Sequence, residues 1–426
     1  MLKRDIGKWD LVLLMINGII GAGIFGLPSK IFALSGVYSI LAMLVCAIIV
    51  FIVVLVFAEV ASKFKETGGP YLYTLTAFGP FLAFIIGWLM LITRVAAFAA
   101  LINLFITYLS YFYPVFLEPS VKAVTIFLIT LFLTLINYRG VKNSTILSNT
   151  LAIAKVSALF IFIIVGLFFI NPGLIDINQS APGLTNFSSS VLILIFAFTG
   201  FEAILINSGE VKNPKKNIPF ALLITIIFVA ILYTLIQIVS IGTLPTLASS
   251  DKPLTDAAQI FMGPFGGFVI TIGALISIGG TLNAILLIGS RLTFALGEAK
   301  EFPKLFSYLH PKFQTPIYSL LAFSAVSIIV SVTGSFIYAV SISVISKVLT
   351  LLVVCVILIK LRITNPKDSN FFKLRYGYSL AVTGIITSIW LLSSSKLTEF
   401  RDVLITILIG IVFYGIYKIT AKRRRE

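Results

Sequence analysis

MINGIIGAGIFGLP, residues 15–28, sits inside an apolar run with the length and character of a membrane helix. It holds Gly18, Gly21, Gly23 and Gly26, then Pro28. Each glycine weakens a helix interior by about 0.5–1 kcal/mol relative to alanine, so four in one span need a reason. Gly18, Ala22 and Gly26 are spaced i, i+4, i+8, a small face suited to close helix packing. That reading leaves Gly21 and Gly23, on other faces, unexplained.

The alternative is that the helix opens here. Non-helical backbone at membrane depth is tolerated only where it lines a cavity or is buried in protein. The freed N–H groups at the start of an outer half-helix suit a carboxylate, and the freed carbonyls at the end of the inner half suit an amine. An α-amino acid presents both charges on one carbon. Such openings come in pairs, at matching positions of two inverted repeats. The partner is IFAFTGFEAILINSGE, residues 195–210, whose centre holds Thr199, Gly200 and Glu202.

The rest of the chain supplies the setting. Of its 426 residues 59% are hydrophobic and 11% charged, far below the roughly 25% charged of a soluble domain. Runs near 20 residues recur throughout, the length that crosses a bilayer as helix, and they do not alternate as barrel strands would. The reading is an all-α integral membrane protein of about 12 transmembrane helices, near 9–33, 38–62, 81–112, 119–137, 148–170, 188–208, 218–243, 264–296, 316–333, 336–360, 377–394 and 400–420. Five spans separate the starts of the two interrupted helices, which run in opposite directions. Residues 1–426 then form one transmembrane domain, with inverted repeats at 9–170 and 188–360 and two extra helices at 377–420.

A net charge of +16 invites a nucleic-acid reading, but the charges are arranged by topology. Of 32 Lys and Arg, 24 fall on the side of the N-terminus, 5 on the other and 3 within spans. This positive-inside asymmetry places both termini in the cytoplasm and removes nucleic acid as a partner. Cys46 and Cys355 fall within spans, and the one histidine, His310, is in a loop, so no metal site or cofactor is expected. GGP at 68–70 reads as a turn. With no convincing signal peptide, the short termini fit a bacterial inner, or plasma, membrane.

Several stretches resemble the amino acid–polyamine–organocation superfamily of amino acid permeases. They are GIIGAGIFGLP, FAEVASKFKETGGPYLY (57–73), FAFTGFEAILINSGEVKNPKKNIPFAL (196–222) and GGTLNAILLIGSRLTFALGEAKEFPKLFSYLHPKFQTP (279–316). The resemblance covers roughly residues 8–360. It implies a leucine-transporter-type fold, a 5+5 inverted repeat plus two C-terminal helices, with helices 1 and 6 discontinuous and substrate held between them. The binding backbone would be Gly18, Ile19, Gly21, Ala22, Gly23 and Ile24 with Phe196, Ala197, Phe198, Thr199 and Gly200. Gly21–Gly23 would take the carboxylate, Ala197–Thr199 would face the amine, and Phe196 and Phe198 would form a gate.

Charges at the bilayer centre cost at least about 2.5–3.5 kcal/mol, so Arg94, Lys155, Glu202 and Lys347, all deep in spans, call for roles. By resemblance Lys155 occupies the place of a coupling ion, bridging helices 1 and 8. Glu202 couples substrate to closure, carries a proton, or neutralises a buried base. Arg94 pairs with Glu202 or meets an acidic substrate side chain. Lys347 has no evident partner.

The expected activity is secondary active transport of amino acids by alternating access, helices 1, 2, 6 and 7 rocking against 3, 4, 8 and 9, as proton symport or as exchange. Carriage of polyamines or other organic cations, and a channel, are the alternatives. No nucleophile–base pair or metal cluster in the spans points to an enzyme. The specific amino acid, the coupling ion and the oligomeric state are not fixed by the residues.

Overall fold

A computed structural model describes residues 7–21, 23–64, 69–139, 144–175, 180–201, 211–364 and 372–423, with backbone alone at 144–154, 214–215 and 420–423. The regular secondary structure among the described residues is helical, with no strand. Seven stretches of helix are long and apolar enough to cross a membrane, and shorter apolar helices lie at 155–167, 184–194, 317–333 and 377–393. The chain divides into two compact units. The first comprises Met1–Ile86, Ile161–Met262 and Lys347–Ser395, the second Gly87–Phe160, Gly263–Ser346 and Lys396–Glu426.

The first unit opens with α1 (Lys8–Ile19) and α2 (Gly23–Ser35), the two halves of the glycine-rich run. After α3 (Ser39–Ser62) comes α4 (Gly69–Phe78). Here the turn expected at GGP is corrected. Gly69, at φ +58°, opens a helix, and Pro70 suits a first turn because its missing N–H would have no partner there. The unit continues with α8 (Leu184–Leu194), α9 (Pro214–Thr243) and, later, α13 (Gly377–Ser393). α3 is packed by α8, α9 and α13, while Leu41, Leu44 and Ile48 on it stay exposed, so apolar residues occupy all its faces.

Polar side chains on α9 hold α1 and α2. Thr225, Tyr233 and Gln237, all fully buried, lie at i, i+8 and i+12, one face of the helix. The Thr225 hydroxyl donates to the Val12 carbonyl (3.5 Å), the Tyr233 hydroxyl to Ile19 O (3.3 Å) and the Gln237 amide to Pro28 O (3.3 Å) and to Ser39 Oγ (2.9 Å). In a membrane the alternative for such groups is an unsatisfied polar atom in hydrocarbon.

The second unit contains most of α5 (Pro80–Leu109), α6 (Pro119–Tyr138), the first part of α7 (Ser144–Leu167), α11 (Ile317–Thr333) and α14 (Leu397–Arg423). α10 (Pro253–Glu298) and α12 (Phe336–Thr364) each contribute to both units. α10 is interrupted at Gly263 (φ +66°) before Pro264, so the helix expected at 264–296 is preceded by a helical segment, 253–262, that hydrophobicity did not mark. Small polar bonds link the helices of this unit. Asn103 donates to Ser331 O (3.0 Å), Thr134 meets Ser324 (2.8 Å) and Asn137 donates to Asn283 Oδ1 (2.7 Å). α6 and α14 expose apolar side chains, among them Phe132 (62%) and Val412 (60%), as surfaces facing lipid do.

Candidate functional site

α1 stops at Ile19, and Ile20 leaves the helix at ψ 87°. α2 begins at Gly23. Ile20 and Gly21 are therefore non-helical, and Ala22 lies outside the described residues. α8 stops at Leu194 and gives way to tight turns over 195–200, with bonds such as Ala197 N to Leu194 O (2.9 Å) and Phe198 N to Ile195 O (3.2 Å). Thr199 folds its hydroxyl onto the Phe196 carbonyl (2.8 Å). The run ends at Gly200, φ +122°, a conformation L side chains rarely adopt.

The two interruptions lie against each other within the first unit. A Cβ on Gly23 would stand 2.9 Å from the Ala197 Cα. A Cβ on Gly200 would collide with the Gly18 carbonyl. These glycines let backbone approach backbone. The Tyr233 hydroxyl lies 3.3 Å from Ile19 O and 3.2 Å from Ala197 O, sharing its proton between carbonyls at the two breaks.

Ile19 and Ile24 are buried, Gly21 is half-buried and Gly18 exposed. Phe196 and Ala197 are buried, and Phe198 is fully buried with its ring in an edge-to-face contact with Tyr233, centroids 5.3 Å apart. Phe201 follows Gly200 and packs edge-on against Phe57 at 5.9 Å. Glu202 lies outside the described residues, and with it the expected Arg94–Glu202 pair. Lys155 on α7 is buried and Arg94 on α5 half-buried, both in the second unit. Lys347, unassigned from the sequence, is buried on α12 in the first unit, its ammonium 6.0 Å from the Phe201 ring centroid. A crevice behind the second interruption is lined by Phe198, Thr199, Phe201, Lys347 and Ser388.

Two features escaped the sequence reading. Tyr233 is one; its signal was the spacing of polar residues along α9. The other is an ion pair in the first unit. Glu59, near the end of α3, and Arg362, near the end of α12, form a bidentate pair (2.8 and 2.6 Å) with side chains 1% and 7% exposed. The Leu374 N–H donates to Glu59 (2.9 Å), its carbonyl accepts from Arg362 (2.7 Å), and Gly377 leaves room for the guanidinium. Glu59 is legible in the sequence as a carboxylate inside an apolar span.

Exposed apolar surface and several long apolar helices define a multi-pass helical membrane protein. A profile of the family described as amino acid permease matches residues 6–415. The chain is 31% identical over 336 residues to the methylthioribose transporter of Bacillus subtilis (strain 168), covering 74% of this chain and 72% of that protein. It is 28% identical to the serine/threonine exchanger SteT of the same organism over 98% of both chains. It is 27% identical to the branched-chain amino acid permease BcaP, also of that organism, over 98% of this chain and 93% of the relative. The chain belongs to the amino acid permease family, within the amino acid–polyamine–organocation superfamily.

Proposed function

We propose that the protein is a secondary transporter that carries amino acids by alternating access, with 12 spans in a 5+5 inverted repeat plus two C-terminal helices and both termini cytoplasmic. The observation that carries this reading is the meeting of two opened helices, Gly23 against Ala197 and Gly200 against the Gly18 carbonyl, with Tyr233 tied to both. Backbone of this kind recognises the part that all amino acids share, and leaves the side chain to neighbouring walls. The carboxylate is assigned to the N–H groups of Gly21–Gly23 at the start of α2. Because Ala197 O already accepts from Tyr233, the ammonium is assigned first to the carbonyls of Phe198 and Thr199. Phe196 stands as the gating aromatic; Phe198, packed on Tyr233, serves as wall.

The division into units supports the mechanism. One unit holds α1–α3, α8 and α9, the other α6, α11 and most of α5, the separation that rocking requires. Lys155 is assigned the coupling role: a buried ammonium that either stays charged, in an exchanger, or releases its proton, in a symporter. SteT and BcaP support amino acids as the cargo class. The methylthioribose relative favours a second reading, a small hydroxylated thioether.

The test is uptake into proteoliposomes of a labelled amino acid panel and methylthioribose, with and without internal substrate and a pH gradient. The reading expects saturable uptake of at least one amino acid. Dependence on internal amino acid identifies exchange, and dependence on the gradient identifies symport. Uptake of methylthioribose alone would replace the amino acid reading, and uptake of none would refute both.

A further inference from the structure

The second unit contains a pocket unrelated to the interrupted helices. It opens between α6, α10 and α11, and Asn137, Ser290, Arg291, Gln314 and Thr315 supply its polar lining. Its wall is tied together by hydrogen bonds. His310 N–H bonds to Thr315 O (2.9 Å), Gln314 N–H to His310 O (2.8 Å), and the Thr315 hydroxyl to Tyr138 O (3.2 Å). Gln314 is held at φ +53°.

Two groups in this pocket look for partners. Asn137 is 2% exposed, and its amide nitrogen is committed to Leu133 O (2.8 Å) and Asn283 Oδ1 (2.7 Å). Both are acceptors, which fixes the orientation of the amide. Its Oδ1 is buried and has no hydrogen-bond partner, a condition that costs about 1–3 kcal/mol unless a donor arrives. Arg291, by contrast, is exposed and has no carboxylate paired with it among the described residues. The Ser290 hydroxyl donates to its own helix at Leu287 O (2.9 Å), so its oxygen can only accept from an occupant. The occupant must therefore carry an anion for the guanidinium and an O–H or N–H donor for Asn137 and Ser290. With no acidic side chain in the lining and Lys312 on the adjoining loop, the balance favours net negative charge.

Apolar surface flanks the pocket. Leu135 (54%) and Ile136 (41%) on α6 precede Asn137, and Leu321 (51%) on α11 follows the lining residue Leu320. We propose that this pocket holds the headgroup of an anionic glycerophospholipid, with phosphate on Arg291 and a headgroup hydroxyl donating to Asn137 Oδ1, the acyl chains lying on the α6 and α11 surfaces. Guanidinium is well matched to phosphate oxygens, and basic pockets between membrane helices are where such headgroups settle. Free glycerol phosphate shares the chemistry; the apolar flanks favour the lipid.

Native mass spectrometry of the purified full chain tests this, with phosphatidylglycerol, with phosphatidylcholine, whose headgroup has no hydroxyl, and with glycerol 3-phosphate as competitor. The expected result is retention of phosphatidylglycerol about tenfold above phosphatidylcholine, with that preference lost in Arg291→Gln. Resistance to glycerol 3-phosphate confirms the lipid as the source, whereas displacement by it assigns the pocket to the soluble phosphate. Should Arg291→Gln fail to stay monodisperse, Asn137→Asp, which sets a carboxylate against the anion, must show the same loss. Equal retention of the two lipids, or a preference unchanged in a folded variant, overturns the proposal.

Discussion

Glycine serves different ends at the interrupted helices of the first unit and at two packed rings of the second. In the first, Gly23 and Gly200 are opposed by main chain, the Ala197 Cα and the Gly18 carbonyl. In the second, Gly289 is opposed by the Phe323 ring and Gly410 by the Trp88 ring, 2.8 Å from where a Cβ would stand. A glycine beneath a ring makes a hole for a knob and leaves both helices regular. A glycine against a backbone exists because the helix has stopped being one. Counting glycines cannot separate the cases; what the missing Cβ would touch can.

That contrast sets the order of expected effects. Gly200→Val should be the most severe, because it combines a disallowed φ with a collision against the Gly18 carbonyl. Uptake in proteoliposomes should fall more than about a hundredfold, the scale of an ångström-level misplacement at a reacting or binding centre. Uptake within a few-fold of wild type would show that the breaks need not touch. Glu59→Gln should follow, chiefly on stability: it strands a buried guanidinium, at a cost of about 3–5 kcal/mol, seen as a lower midpoint in thermal unfolding. An unchanged midpoint would mean that the pair is neutralised by neighbours. Gly289→Ala should lower stability by about 1–3 kcal/mol through overpacking against Phe323 and leave KM for the transported substrate unchanged. A raised KM would erase the distinction between the two uses of glycine. Tyr233→Phe is the mildest for stability, about 1 kcal/mol for one hydrogen bond, yet transport should slow, since both breaks lose a shared donor. Transport at the wild-type rate would reduce Tyr233 to packing.

The helices were legible in the sequence because membrane spans announce themselves by length and apolarity. The interruption after Ile19 was legible because glycines cluster there beyond any packing need. Several things were not. The 253–262 segment and α4 are short and lack a long apolar run; their ends are set by backbone conformation at Gly263 and Gly69. The Glu59–Arg362 pair joins residues 303 positions apart, which no local pattern encodes. Tyr233 was half visible: its spacing from Thr225 and Gln237 marks a face, but that the face reads the carbonyls of interrupted helices is a fact of packing. Phe198, one of two candidate gates in the sequence, is fully buried with its ring against Tyr233, a contact that no local pattern encodes.

The central claim is that the paired interruptions hold an amino acid by its backbone charges. Equilibrium binding of labelled amino acids to the purified protein, wild type beside Gly23→Ala, tests it without requiring transport. The account predicts saturable binding to the wild type and none to a folded Gly23→Ala variant, whose new methyl group would stand 2.9 Å from the Ala197 Cα and force the breaks apart. Unaltered affinity in Gly23→Ala would contradict it.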